Sequence, residues 1–165
     1  QKVVAHTMLP TLIAKREARP LRRVLICDSG AQSPSLLQLL RARLPALLAG
    51  VTEVTVLHVM SQISAAPRVR GEDLQATVEE LIQLQTPEGA ILRQDMAYLE
   101  SMNLTTHAKV RHGLVIDEIV DEARADEYDL VVIGAHRDEG MPRFLLDDLA
   151  HELVLDVERA ILVVR

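Results

Sequence analysis

Aromatic residues are nearly missing from this chain: it has two tyrosines (Tyr98, Tyr128), one phenylalanine (Phe144) and no tryptophan in 165 residues. A base-stacking platform for nucleic acid needs several rings in line and is therefore excluded. Cysteine occurs once, as Cys27, so no internal disulfide can form, and the usage suits a reducing cytoplasm. No apolar run approaches the roughly 18 residues that a membrane-spanning helix requires, and no signal-peptide pattern opens the sequence. Positive charge is in deficit: 18 Lys and Arg against 24 Asp and Glu leave a net charge of −6. That balance disfavours non-specific binding to nucleic acid or anionic membrane. Catalytic signatures are missing too. There is no nucleophile elbow or metalloprotease motif, and His58 and His136 lie far apart with no cysteine cluster to support a metal. The expectation is a cytoplasmic protein, or the cytoplasmic part of a larger one. It is not an enzyme, has no catalytic residue or metal ligand, takes no nucleic acid and inserts in no membrane.

What is present is a hydrophobic chain, 48% apolar and 25% charged, long enough to bury one core. Arg23 to Cys27 (RVLIC) is an apolar run stopped by Asp28-Ser29-Gly30, and Glu53 to Met60 (EVTVLHVM) is β-branched and apolar. Thr105 to Val110, Asp129 to Ile133 and Ala160 to Val164 supply three further strands. Between them the apolar residues recur at helical spacing over Ser35 to Leu48, over Gly71 to Asn103 with a break near Pro87, over Val115 to Ala125, and over about 147 to 157. In the second half of the long segment, Ile91, Met96 and Leu99 are predicted to point inward. Strands alternating with helices, each strand apolar almost throughout, imply an α/β fold: a parallel sheet covered by helices on both faces with right-handed crossovers. Cys27, at the end of a core strand, reads as a small apolar residue rather than a reactive thiol.

The first fifteen residues do not fit the start of such a domain. Val3 to Lys15 (VVAHTMLPTLIAK) aligns without a gap on Leu153 to Arg165 (LVLDVERAILVVR), setting Leu12 on Leu162, Ile13 on Val163 and Lys15 on Arg165. Self-similarity at a fixed offset marks a duplicated unit. Residues 1–15 are therefore read as the tail of a preceding repeat, a helix end and a strand. Residues 16–22 become a basic, solvated linker and residues 23–165 the domain proper. A start on Gln1 rather than Met fits a piece of a longer chain.

The stretch GAHRDEGMPRFLLDD, residues 134–148, stands where an α/β protein places a glycine-rich phosphate loop, between a strand and an amphipathic helix. It holds only Gly134 and Gly140, and it ends on two adjacent carboxylates.

From about Arg22 to Arg165 the chain resembles the universal stress protein family. The matching pieces are a first strand ending in Asp28, TVLHV at 55–59, HGLVIDEIVDEA at 112–123, YDLVVIGAH at 128–136 and the closing RAILVVR. The resemblance implies a five-stranded parallel sheet of order 3-2-1-4-5 with helices on both faces, here with the extra N-terminal helix and strand. It also implies dimerisation through the last strand, as a homodimer or as the pseudo-dimer of a tandem pair, and tandem copies attached to other domains. Many members bind ATP, and others act through partners without a nucleotide.

On the family's pattern, Asp28 and Val59 are the adenosine-side positions. The phosphate-side positions fall on Gly134, Arg137, Asp147 and Asp148, where the family has glycine, glycine, glycine and serine or threonine. Only Gly134 matches. Glycine lets backbone N–H groups approach a phosphate closely. Arg137 adds bulk there, while Asp147 or Asp148 can cap the helix that would otherwise attract the anion. A phosphate about 5 Å from one carboxylate meets roughly 3 kcal/mol of repulsion per unit charge at an effective dielectric of about 20. The favoured reading is a regulatory or interaction domain with a degenerate ATP loop and no cofactor. The alternative is an adenine-nucleotide sensor for ATP or AMP, with Arg137 clamping a phosphate and a Mg²⁺ on Asp147 or Asp148 offsetting the repulsion.

If Thr11 to Ala14 is such a tail, it should lie antiparallel beside Ile161 to Val164, covering an apolar edge. With the implied strand order, the linker must cross three strand spacings, roughly 14 Å. Its seven residues reach up to about 23 Å when extended.

Overall fold

Runs rich in valine, isoleucine and leucine form the strands β1 (Thr11–Ile13), β2 (Arg23–Cys27), β3 (Glu53–Ser61), β4 (Thr105–Gly113), β5 (Leu130–Gly134) and β6 (Ala160–Val164). The computed structural model describes residues 9–15, 19–28, 34–61, 77–134 and 151–164. The strands make one sheet of order β1-β6-β5-β2-β3-β4. From β2 to β6 all pairings are parallel, and β1 alone runs antiparallel, along β6. The five parallel strands thus stand in the expected 3-2-1-4-5 order, and the N-terminal strand makes a sixth.

Four helices are bounded within the described residues: α1 (Leu36–Arg43), α2 (Val78–Gln83), α3 (Pro87–Ser101) and α4 (Val115–Ala125); residues 151–156 are also helical. Side chains alternate across the strands, so the inner strands β2, β3, β5 and β6 each feed two cores. Val24, Ile26, Val54, Val56, Leu130, Val132 and Leu162 pack with Leu36, Leu40, Leu81, Leu92 and Leu99 of α1 to α3. On the opposite face Leu25, Leu57, Val131, Ile133, Ile161 and Val163 meet Ile119, Val120 and Ala123 of α4, together with Leu153 and Val157. Each leucine or isoleucine so buried contributes about 2 kcal/mol.

Local chemistry sets the helix limits. Ser35 and Gln38 form a capping box at the start of α1, the Ser35 hydroxyl accepting from the Gln38 N–H at 3.3 Å and the Gln38 amide oxygen accepting from the Ser35 N–H at 3.1 Å. The helix stops at Arg43, short of the Leu48 predicted from periodicity. Pro45 disfavours helical geometry at the preceding residue, and Leu44 sits at φ −136°, ψ 60°. The predicted break near Pro87 is real: Thr86 caps α3 and Pro87 occupies its first turn. Gln85 takes a left-handed φ of 53° between α2 and α3. Gly89 lets the two helices touch, since a Cβ there would lie 2.1 Å from the Leu81 carbonyl oxygen.

Two expectations need correction. In α3 the buried residues are Gly89, Leu92, Asp95 and Leu99, whereas Ile91 and Met96 are only half-buried. And β4 runs on to Gly113, beyond Val110, because β3 extends to Ser61 and pairs it residue for residue.

The N-terminal strand pairs with the last one in the register Thr11–Val163, Leu12–Leu162 and Ile13–Ile161. The alignment of residues 3–15 on 153–165 maps Leu12 onto Leu162 and exchanges the other two pairs. The register places the local two-fold of the aligned segments at the Leu12–Leu162 pair. Just past β1, Lys15 donates to the carbonyls of Val154 and Val157, the latter at 2.6 Å, placing a cation at the carboxyl end of helical residues 151–156.

Candidate functional site

In an open parallel sheet, ligands bind outside the carboxyl ends of the strands, where the strand order reverses. Here that point lies between β2 and β5. Cys27 pairs with both Leu57 and Ile133. Asp28, directly after β2, and Gly134, the last residue of β5, therefore share one edge, with Val59 two residues beyond Leu57 on β3. Three of the six residues that the sequence singles out are thus brought together at the switch point. Arg137, Asp147 and Asp148 lie outside the described residues.

Asp28 is held firmly. Its N–H donates to the Leu57 carbonyl at 3.0 Å, and its carbonyl lies 3.1 Å from Nδ1 of the buried His58. One carboxylate oxygen accepts from the Leu36 N–H, the first of α1, at 3.1 Å. Only 4% of Asp28 is exposed. The carboxylate thus sits at the positive end of α1, facing the helix more than solvent.

Behind it stands a residue that pattern reading misses. Asp95 of α3 is 3% exposed, and one of its oxygens accepts from the Ser35 hydroxyl at 3.2 Å. The other is buried with no hydrogen-bond partner among the described residues. Burial, reinforced by the charge of Asp28 and opposed by the Ser35 bond, pushes this carboxyl up to about 7. The signal was present: Leu92, Asp95 and Leu99 share a helical stripe, and an acidic residue on a buried stripe calls for a reason.

A second buried carboxylate lies on the opposite face. Glu122, 1% exposed, accepts from Lys109 at 2.6 Å, from Arg111 at 2.8 Å and from the Tyr128 hydroxyl at 2.8 Å. Burial works against its ionisation, yet the Lys109, Tyr128 and Arg111 bonds outweigh that and hold it below the usual carboxylate range. Burial also pushes the Cys27 thiol up, with Glu122 and Asp28 adding to the effect, so the thiolate is disfavoured. Among the described residues no three His, Cys, Asp or Glu side chains are grouped to hold a metal ion, and no helix is long and apolar enough to cross a membrane.

Fold and edge together define a doubly wound α/β domain whose strand order reverses between β2 and β5. Residues 20–165 match the model of the universal stress protein family, and the chain belongs to that family. Solved structures agree on the fold. Universal stress protein UspA from Lactobacillus plantarum is 19% identical, with 90% of this chain and 100% of that chain covered and a TM-score of 0.58. An Arabidopsis thaliana family member with AMP bound is 14% identical over 87% of this chain and 90% of its own, at a TM-score of 0.55. A universal stress protein from Archaeoglobus fulgidus is 14% identical with a TM-score of 0.62; it covers 99% of this chain, which spans only 52% of that one. No curated protein matches the sequence.

Proposed function

We propose that this is a regulatory, non-catalytic stress-response domain that has lost the phosphate half of its nucleotide site and acts through the surfaces it presents to partners. The observation that carries the reading is the replacement of three phosphate-side positions by Arg137, Asp147 and Asp148. On the family's pattern, an arginine at the first takes the place of a glycine that lets phosphate approach, and carboxylates at the other two oppose phosphate charge. Calorimetry with Mg-ATP tests this reading: no saturable heat is expected in the micromolar range, and a clear micromolar dissociation constant overturns it.

A second reading, an adenine-nucleotide sensor, is favoured by the convergence of Asp28, Val59 and Gly134 at the switch point. AMP in the Arabidopsis relative also supports it. Mass spectrometry of natively purified protein separates the two, because a sensor retains AMP or ATP. Under the first reading, the change Arg137→Gly, Asp147→Gly, Asp148→Ser should raise ATP affinity at least about tenfold, or about 1.4 kcal/mol. No gain in a folded triple variant would place the defect on the adenosine side.

Residues 1–15 fit the same proposal as the tail of a preceding copy, with 16–22 as linker and 23–165 as the domain. The antiparallel pairing of β1 along β6 supports this, as does the Archaeoglobus chain of about twice the length. In this view β1 stands where a homodimer partner's last strand would, and the parent is a longer cytoplasmic protein.

A further inference from the structure

At the end of the sheet away from the nucleotide edge, a cavity of about 430 Å³ opens beside the β1–β6 seam. Its floor is formed by Leu12 and Leu162, the pair at the local two-fold, and its wall by Leu44 and Leu47 from the turns after α1. That volume lies within the roughly 300–1,000 Å³ of small-molecule sites. Leu12 is 62% exposed, so the floor is open on the β1 side. Two cations, Arg19 and Arg159, also line the cavity. Among the described residues neither guanidinium has a hydrogen-bond or ion-pair partner. The carboxylate of Asp129, also in the lining, is bound by the N–H groups of Arg22 and Arg23, each at 2.9 Å.

An apolar trough bordered by two guanidiniums is complementary to an apolar chain ending in an anion. The leucines take the chain, and a planar fork of N–H donors matches a carboxylate. A second copy of this chain seated symmetrically here would instead bring its own Arg19 and Arg159 to the same rim, like charge against like. We infer that this groove binds a free long-chain monocarboxylate, its tail against Leu12, Leu44, Leu47 and Leu162 and its head between Arg19 and Arg159. The inference does not rest on the nucleotide reading, since the two sites lie at opposite ends of the sheet.

Titration of the full chain with dodecanoate below its micellar concentration, followed by calorimetry, tests the inference. One saturable site per chain is expected, with affinity falling through decanoate to octanoate. The double variant Arg19→Gln, Arg159→Gln changes two side chains that hold no hydrogen bond or ion pair among the described residues and should fold normally. It should bind dodecanoate at least about tenfold more weakly. Leu47→Trp, which fills the trough, should abolish binding while leaving the circular dichroism unchanged. No saturable binding, equal affinity for dodecylammonium, or indifference to loss of both arginines overturns the inference. So does a dimer that dodecanoate leaves intact and Leu12→Lys dissolves, because the groove would then seat a second copy.

Discussion

Asp95→Asn isolates the energetic cost of the buried carboxyl behind Asp28. In the folded chain this group titrates at about 7, against 3.8 for a free aspartate, chiefly because burial penalises its charge. Between those two values the folded state holds a proton that the unfolded chain has released. Stability therefore falls as pH rises through the window, by about 1.4 kcal/mol per unit, and levels off above about pH 7. Over the whole window the loss is about 4 kcal/mol. Below the window both states are protonated and no penalty applies. Asparagine cannot ionise, so the variant escapes the loss, although its buried NH₂ group costs about 1 kcal/mol at every pH. Urea unfolding followed by circular dichroism at about pH 5 and about pH 8 would separate the two contributions. The gap between variant and wild type should move in the variant's favour by about 3 kcal/mol from the lower to the higher pH, leaving it the more stable protein at pH 8. Other titrating groups are common to both proteins and cancel. A gap equal at the two pH values would show that Asp95 carries no buried proton, and the reasoning would fail.

Three further perturbations probe the rest of the structure. Gly89→Ala should destabilise by about 2 kcal/mol, read as a lower urea midpoint, since its Cβ would meet the Leu81 backbone oxygen at 2.1 Å and backbone cannot move aside as a side chain can. Glu122→Gln should cost about 2 kcal/mol by removing the charge that Lys109, Arg111 and Tyr128 converge on; a loss below about 0.5 kcal/mol would mean that the half-exposed cations find water just as good. Deleting residues 1–15 removes β1 and uncovers the edge of β6, so sedimentation should show stronger concentration-dependent self-association than in the full chain.

Much of the architecture is determined by local pattern. Strands whose residues are apolar on both faces can only be covered on both faces, which settles a parallel α/β sheet before any pairing is known. The stripe Ile116, Ile119, Val120, Ala123 specifies α4 over Val115–Ala125 as found. Thr86-Pro87 specifies where α3 begins. The likeness of residues 3–15 to residues 153–165 points to β1 lying antiparallel beside β6, although the register itself is set only in the assembled sheet.

Other features depend on which surfaces meet, and no window of sequence contains that. The stripe of α3 is rotated by about one residue from its most apolar setting, so Leu92 and Asp95 rather than Ile91 and Met96 enter the core. What decides this is the close contact with α2 through Gly89. The polar stretch Arg111-His112-Gly113 becomes strand only because β3 continues alongside it. Glu122 is charged and buried because Lys109 and Arg111 of β4 and Tyr128 ahead of β5 come together over one helix. Periodicity reports which face of an element is apolar; the partner that face meets, and any charge it encloses, is a property of the assembled sheet and helices.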